Sequence, residues 1–256
     1  MKGLYVAVVC DILDEMGYRN QAMHQRLRPL LPDIRNCGFI GRARTLKWKE
    51  VNSVDDGNPY ELEIEAMDSL MEGDVVVHST DHNGTNAPWG ELMSTIAKRK
   101  GVAGCVCDSQ IRDCIRIIDM GFPVYYAGIR PLDSKGRGLV IDYDVPVQCG
   151  GVLVNPGDLI FADFDGVVVI PKMLENEVIE KAKEKVLAER IFVAGNENEI
   201  INFKSVDPGK YNARLILDSN NNQEWDPVNY INKTYPEKIW NWPLEELGPD
   251  WEIEVT

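Results

Sequence analysis

The sequence holds three histidines among 256 residues, no Cys-x-x-Cys pair, and no apolar stretch approaching the roughly 20 residues that a membrane-crossing helix needs. Each absence removes a class of function. The zinc signatures built on paired Cys and His are missing. The six cysteines, Cys10, Cys37, Cys105, Cys107, Cys114 and Cys149, fall largely in apolar runs. A thiol there acts as a small hydrophobe, and the economical reading is a reduced, cytoplasmic protein. The apolar stretch Leu4 to Cys10 meets Asp11, Asp14 and Glu15 at once, with no small-residue cleavage site, so no signal peptide is expected. Positive charge is scarce as well: 27 Lys and Arg face 41 Asp and Glu, a formal net charge of -14. No broad basic face is expected for nucleic acid or an anionic membrane. Nor does any Gly-rich turn from strand to helix suit an adenosylmethionine site.

What is present describes a globular chain with a substantial core, 44% hydrophobic and 27% charged. Its informative stretch runs from Trp89 to Asp113. Pro88, with Thr85 or Asn86 as cap, predicts a short helix that ends at Gly101 after Lys98, Arg99 and Lys100. The backbone N–H groups near Gly90, Glu91, Leu92 and Met93 then form a candidate site for a substrate carboxylate. The run Val102 to Cys107 reads as a buried strand. Ile111, Ile115 and Ile118 recur at helical spacing after it, which places Arg112 and Asp113 just past the strand's carboxyl end. Open α/β sheets bind ligands at that edge. A carboxylate such as Asp113 can hold a hard divalent cation, and a guanidinium beside it can neutralise a second anionic oxygen. On the dipeptide alone the plainer reading, an ion pair that caps or salt-bridges a helix start, is the favoured one.

Elsewhere the pattern alternates. Val8, Val9, Ile12, Leu13 and Met16 line one helix face, and Gly17 ends it. Gly38 to Trp48 reads as a strand with Arg42 and Arg44 on one face, either solvated or lining an anionic pocket. A helix from Asn58-Pro59 to Met71 precedes the strand Val75 to Val77. His78, Asp81 and His82 follow in a polar loop and are read as loop residues rather than metal ligands, because His pairs four apart ligate reliably only on a helix. Pro123 to Ala127 is a further strand, so residues 102–127 form a parallel strand-helix-strand unit. Asp163-Phe164-Asp165-Gly166 is a hairpin turn. A long helix from about Met173 to Ala194 carries Glu184 and Glu189 on its polar face. Beyond Gly195 come Asn220-Asn221-Asn222, several prolines and four of the six tryptophans, Trp225, Trp240, Trp242 and Trp251. This reads as an extension packed on the body or on a neighbouring subunit.

Glu91, twenty intervening residues and then Arg112-Asp113 resembles the signature of the RraA-like family, which includes 4-hydroxy-4-methyl-2-oxoglutarate aldolases. Cys10-Asp11-Ile12-Leu13-Asp14, Gly121-Phe122-Pro123-Val124, Gly150-Gly151-Val152, Pro156-Gly157-Asp158 and Asp163 to Pro171 follow in the family's order, so the resemblance covers roughly residues 4–195. Ser109-Gln110 departs from the small residues common there. The resemblance implies an α/β fold of layered β/β/α swivelling-domain type over 1–195, an irregular extension over 196–256, and a homotrimer or homohexamer. It also implies a metal-dependent aldolase or lyase of pyruvate type that acts on a small 2-oxo acid and decarboxylates oxaloacetate. In that reading Asp113 holds Mg2+ or Mn2+, Arg112 stabilises the enolate, and Glu91 with Glu189 of a neighbouring subunit orients a water that shuttles the proton. The family also includes regulators that bind a ribonuclease, the rival expectation. The old label of demethylmenaquinone methyltransferase finds no support in the residues.

Overall fold

Residues 4–33, 35–53, 57–80 and 86–189 are described in a computed structural model, together with the backbone of 212–216 and 239–243. Helix α1 (Val6–Glu15) and the two-residue strand β1 (Arg28–Pro29) lead into the long strand β2 (Phe39–Glu50). Helices and strands then alternate through α2 (Glu61–Asp68), β3 (Asp74–Ser79), α3 (Glu91–Arg99), β4 (Gly104–Ile111), α4 (Cys114–Met120) and β5 (Val124–Ile129). After them come β6 (Gly138–Tyr143), β7 (Val147–Cys149), β8 (Val152–Val154), β9 (Leu159–Asp163), β10 (Gly166–Ile170) and α5 (Glu175–Glu189). One sheet runs in the order β1-β5-β4-β3-β2-β9-β10, with β6 also paired to β2. The strands β2, β3, β4 and β5 are mutually parallel, and the others join antiparallel.

Period-two alternation in the central strands sets the layers. Val76, Cys105 and Cys107 face Ala66, Met67, Ala97 and Ile117 of helices α2, α3 and α4. Val75, Val77 and Val106 face the other way, onto Val147, Cys149, Val152 and Val154 of the β7–β8 hairpin. The order is therefore hairpin, sheet, helices, the β/β/α layering that the resemblance implies. Each fully buried valine in these layers contributes about 1.5–3 kcal/mol. A third cluster, including Val8, Ile12, Val168, Ile170, Val178 and Ala182, packs α1 and α5 onto the β9–β10 end.

Several local expectations shift. Strand β4 does not stop at Cys107 but continues through Ile111, because Gln110 and Ile111 still pair with Gly128 and Ile129 of β5 after a register slip. Ile111 is thus a strand residue, and its helical spacing from Ile115 and Ile118 was coincidental. Helix α3 has Gly90 as its N-cap, not Thr85 or Asn86; Asn86 is buried four residues earlier, and Thr85 lies outside the described residues. His78 belongs to β3 and to the core rather than to a loop. Residues 191–256 form a separate unit in which Asn212–Ile216 (β11) and Ile239–Pro243 (β12) pair antiparallel. Among the described residues no helix is long and apolar enough to cross a membrane.

Candidate active site

Trp89 runs beside the last residue of β4 in a parallel bridge to Ile111, and the Arg112 N–H donates to the Trp89 carbonyl at 3.0 Å. This brings Gly90 and Glu91 alongside Arg112 and Asp113. Asp113 is the N-cap of α4 with φ 59° and ψ 31°, a left-handed conformation that costs a non-glycine residue on the order of 1–3 kcal/mol. Its Oδ2 accepts the Glu91 backbone N–H at 3.2 Å. One donor of the helix terminus expected to take a substrate carboxylate is therefore already taken by the chain's own side chain. Gly90 makes that approach feasible. Its backbone is extended, so the need is for space: a Cβ there would lie 2.7 Å from Asp113 Oδ2 and 3.2 Å from Arg112 Cγ.

The Arg112 guanidinium lies between two carboxylates. Nε is 3.7 Å from Asp113 Oδ2, beyond a hydrogen bond, while Nη2 is 3.2 Å from Asp133 Oδ1. Asp133 in turn accepts the Tyr60 hydroxyl on Oδ2 at 2.6 Å. Desolvation raises the Asp133 carboxyl, but Tyr60, Arg112 and the backbone N–H groups of Ser134 and Lys135 outweigh it and hold the carboxyl below its usual range. Burial, and then the bond to Asp133, pushes the Tyr60 phenol up to about 12. One turn into α2, Glu63 is buried; desolvation and the charge of Asp133, opposed by Arg112, push it up to about 8.

Tyr60, Glu63 and Asp133 were not singled out by sequence. A signal for Asp133 existed: it follows the carboxyl end of β5, the parallel neighbour of β4, and loops after adjacent parallel strands share one edge. The Arg130 N–H donates to Ile111 O and the Ala87 N–H to Leu132 O, which ties that loop to the site. No spacing pairs Tyr60 with it.

Of the other sequence candidates, Leu92 is exposed beside Glu91, and Met93 is half-buried against the helix-side core. Glu189 is the last residue of α5, and its side chain lies outside the described residues; Glu184 is exposed. Arg42 and Arg44 are both ion-paired. Arg42 makes a two-pronged pair with Glu175, at 2.5 and 2.8 Å, and Arg44 bonds Asp74, Asp144 and Ser69. His78 accepts the Trp48 indole N–H on Nδ1 at 2.8 Å, and burial lowers it to about 3, so it stays neutral. Asp81 and His82 lie outside the described residues. Burial raises the thiols of Cys105, Cys107 and Cys149, as suits small hydrophobes. Ser109 is buried, and the Gln110 amide lies against Gly128 of β5. An open depression of about 360 Å³ lined by Thr95, Lys98, Arg99 and Met120 lies at the other end of α3, away from this chemistry.

Asp113 and Asp133 around the one guanidinium leave a formal excess of one negative charge, which suits a cation better than a bare anionic ligand. Asp113 Oδ1 has no protein partner among the described residues. No group of three His, Cys, Asp or Glu placed to hold a metal occurs among the described residues. A hard cation that keeps several waters needs only one or two carboxylates, and Asp113 fits that requirement.

A profile of the RraA-like family, described as Aldolase/RraA, matches residues 6–169. The chain belongs to this family. One RraA-like relative, from Halalkalibacterium halodurans, bears the name "Putative 4-hydroxy-4-methyl-2-oxoglutarate aldolase". It is 41% identical over 150 residues, covering 59% of this chain and 68% of that protein. Protein DlpA of Legionella pneumophila is 30% identical over 177 residues, 68% of this chain but 27% of that longer protein. The crystal structure of Streptomyces coelicolor RraAS2, described as an unusual member of the RNase ES inhibitor RraA family, matches with a TM-score of 0.61 at 31% identity. That match covers 70% of this chain and 86% of the other.

Proposed function

We propose that this RraA-like protein is a divalent-metal-dependent lyase of pyruvate type, which cleaves a 4-hydroxy-2-oxo acid to pyruvate and decarboxylates oxaloacetate by the same route. The observation that carries the reading is the Arg112-Asp113 pair at the end of β4, opened to solvent beside the Gly90-Glu91 turn. The relatives named as aldolases support it. Asp113 would hold Mg2+ or Mn2+, with waters and substrate oxygens as the other ligands. When bound, the ion supplies Lewis acidity to the 2-oxo group.

The chain's own residues do the rest. As the C3–C4 bond breaks, its electron pair moves onto the pyruvate unit, and Arg112 stabilises the negative charge that grows on the oxygen. The C4 hydroxyl loses its proton as it becomes a carbonyl. Glu91, with Glu189 of a neighbouring copy in a trimer or hexamer, holds a water that accepts this proton and returns one to C3. Oxaloacetate loses carbon dioxide in place of the carbonyl fragment and leaves the same enolate.

Pyruvate release from a panel of 4-hydroxy-2-oxo acids and from oxaloacetate is the test. Chelator should abolish turnover, added Mg2+ or Mn2+ should restore it, and Asp113→Asn should remove most of it while leaving thermal unfolding unchanged. Full activity in excess chelator sinks the reading. A second reading, a regulator that binds a ribonuclease, is favoured by the description of RraAS2. A pure regulator would release no pyruvate under any of these conditions.

A further inference from the structure

Arg112 has two carboxylates within reach, and they pull its guanidinium toward different ends of the site. Asp133 is the nearer, 3.2 Å from Nη2, against 3.7 Å from Nε to Asp113. Asp133 is also held from behind, since its second oxygen takes the Tyr60 hydroxyl at 2.6 Å and its loop is tied to the end of β4 through Arg130. Tyr60 stands at the start of α2, the helix that also brings the buried Glu63 close enough to feel Asp133 and Arg112. A guanidinium released from Asp133 would close the remaining gap to Asp113, because an unopposed ion pair shortens to hydrogen-bond distance. That would use up the carboxylate on which the proposed cation depends.

We infer that Asp133, braced by Tyr60, is a positioning residue that holds Arg112 away from Asp113 and leaves Nη1 as the nitrogen presented to a ligand. Among the described residues Nη1 donates no hydrogen bond to protein. The ligand oxygen therefore meets one nitrogen rather than a two-pronged fork. This rests on the proposed function only for its effect on turnover; the restraint on Arg112 is a property of the protein alone.

The test uses full-length protein labelled with 13C,15N-arginine, with Arg112 assigned by its disappearance in Arg112→Lys. In the parent, the two Nη signals of Arg112 should be distinct, because the Asp133 contact slows rotation about the Nε–Cζ bond. Asp133→Asn should collapse or shift them and lower kcat for oxaloacetate by roughly tenfold with KM changed less than about twofold. Tyr60→Phe should give a smaller change of the same kind, and it serves if Asp133→Asn fails to fold. Asp133→Glu should restore part of the restraint. Arg112 signals that are identical in the parent, Asp133→Asn and Tyr60→Phe would overturn the inference. If the parent shows restrained Arg112 but releases no pyruvate, the proposed function fails and the positioning role stands.

Discussion

Arg112 is the residue whose chemistry is hardest to replace. A lysine keeps the charge but, as a single point donor, cannot pair with Asp133 through one fixed nitrogen while presenting another to the ligand. Arg112→Lys should lower kcat at least roughly tenfold, about 1.4 kcal/mol of transition-state stabilisation; a raised KM with unchanged kcat would assign Arg112 to uniform binding instead. Glu63 gives a second measurable consequence. Its buried carboxyl is pushed up to about 8, whereas in the unfolded chain it titrates near pH ~4.3. The folded state therefore holds the proton more tightly, so the stability contributed by protonated Glu63 is complete below the unfolded value and is lost as pH rises through about 8. At ~1.36 kcal/mol per unit this is on the order of a few kcal/mol. Glu63→Gln keeps the shape and cannot ionise, so its urea midpoint should fall less between pH 5 and 8.5 (about the window those two values bracket) than that of the parent. Parallel pH profiles would reject the assignment. Glu91, Arg112 and Asp113 were picked out by a spacing that resembles the family signature, and the fold brings them side by side. Glu63 could not be picked out from the sequence, since a single Glu on a helix with other acidic residues carries no mark of burial.

At the scale of elements, β2 is the strand on which the others are arranged, and Arg44 ties it to its surroundings. Its guanidinium bonds Asp74 at the start of β3, Asp144 after β6 and the Ser69 carbonyl and hydroxyl at the end of α2. Arg44→Met would leave the buried Asp74 carboxylate with the Met71 N–H alone. Breaking a largely buried pair in this way should cost roughly 2–4 kcal/mol, read as a lower urea midpoint at unchanged slope. A loss below about 1 kcal/mol would show that solvent replaces the network. The Arg42 and Arg44 side chains were legible as lying on one face, since alternation in a strand is a local property. Their partners were not, because Glu175 lies 133 residues from Arg42 and Asp144 lies 100 from Arg44. The same limit explains β4. Its apolar run predicts the first half, whereas the polar second half is a strand only because β5 is there to pair with it.

At the scale of the whole molecule, Arg112, Asp113 and Glu91 come from one face of one chain, and a proton shuttle approaching from the open side would come from a neighbour. If Glu189 is given in trans, mixing inactive Asp113→Asn and Glu189→Gln proteins should regenerate some complete sites once subunits exchange, which mass measurement can establish first. Exchange without recovered turnover would return Glu189 to the role of a solvated helix residue. Local pattern sufficed for most strands and helices of the core and for the parallel β4-α4-β5 unit. These follow from side-chain periodicity, turn residues and the handedness of crossovers, all of which are written along the chain. Tertiary structure alone decided that the β7–β8 hairpin covers the second face of the sheet, that Asp113 bends back onto the Glu91 N–H, and that Tyr60 reaches Asp133 across 73 positions to brace Arg112. Those contacts depend on which strands lie side by side, and that order is set by burying both faces of the sheet at once, a condition no short segment can express.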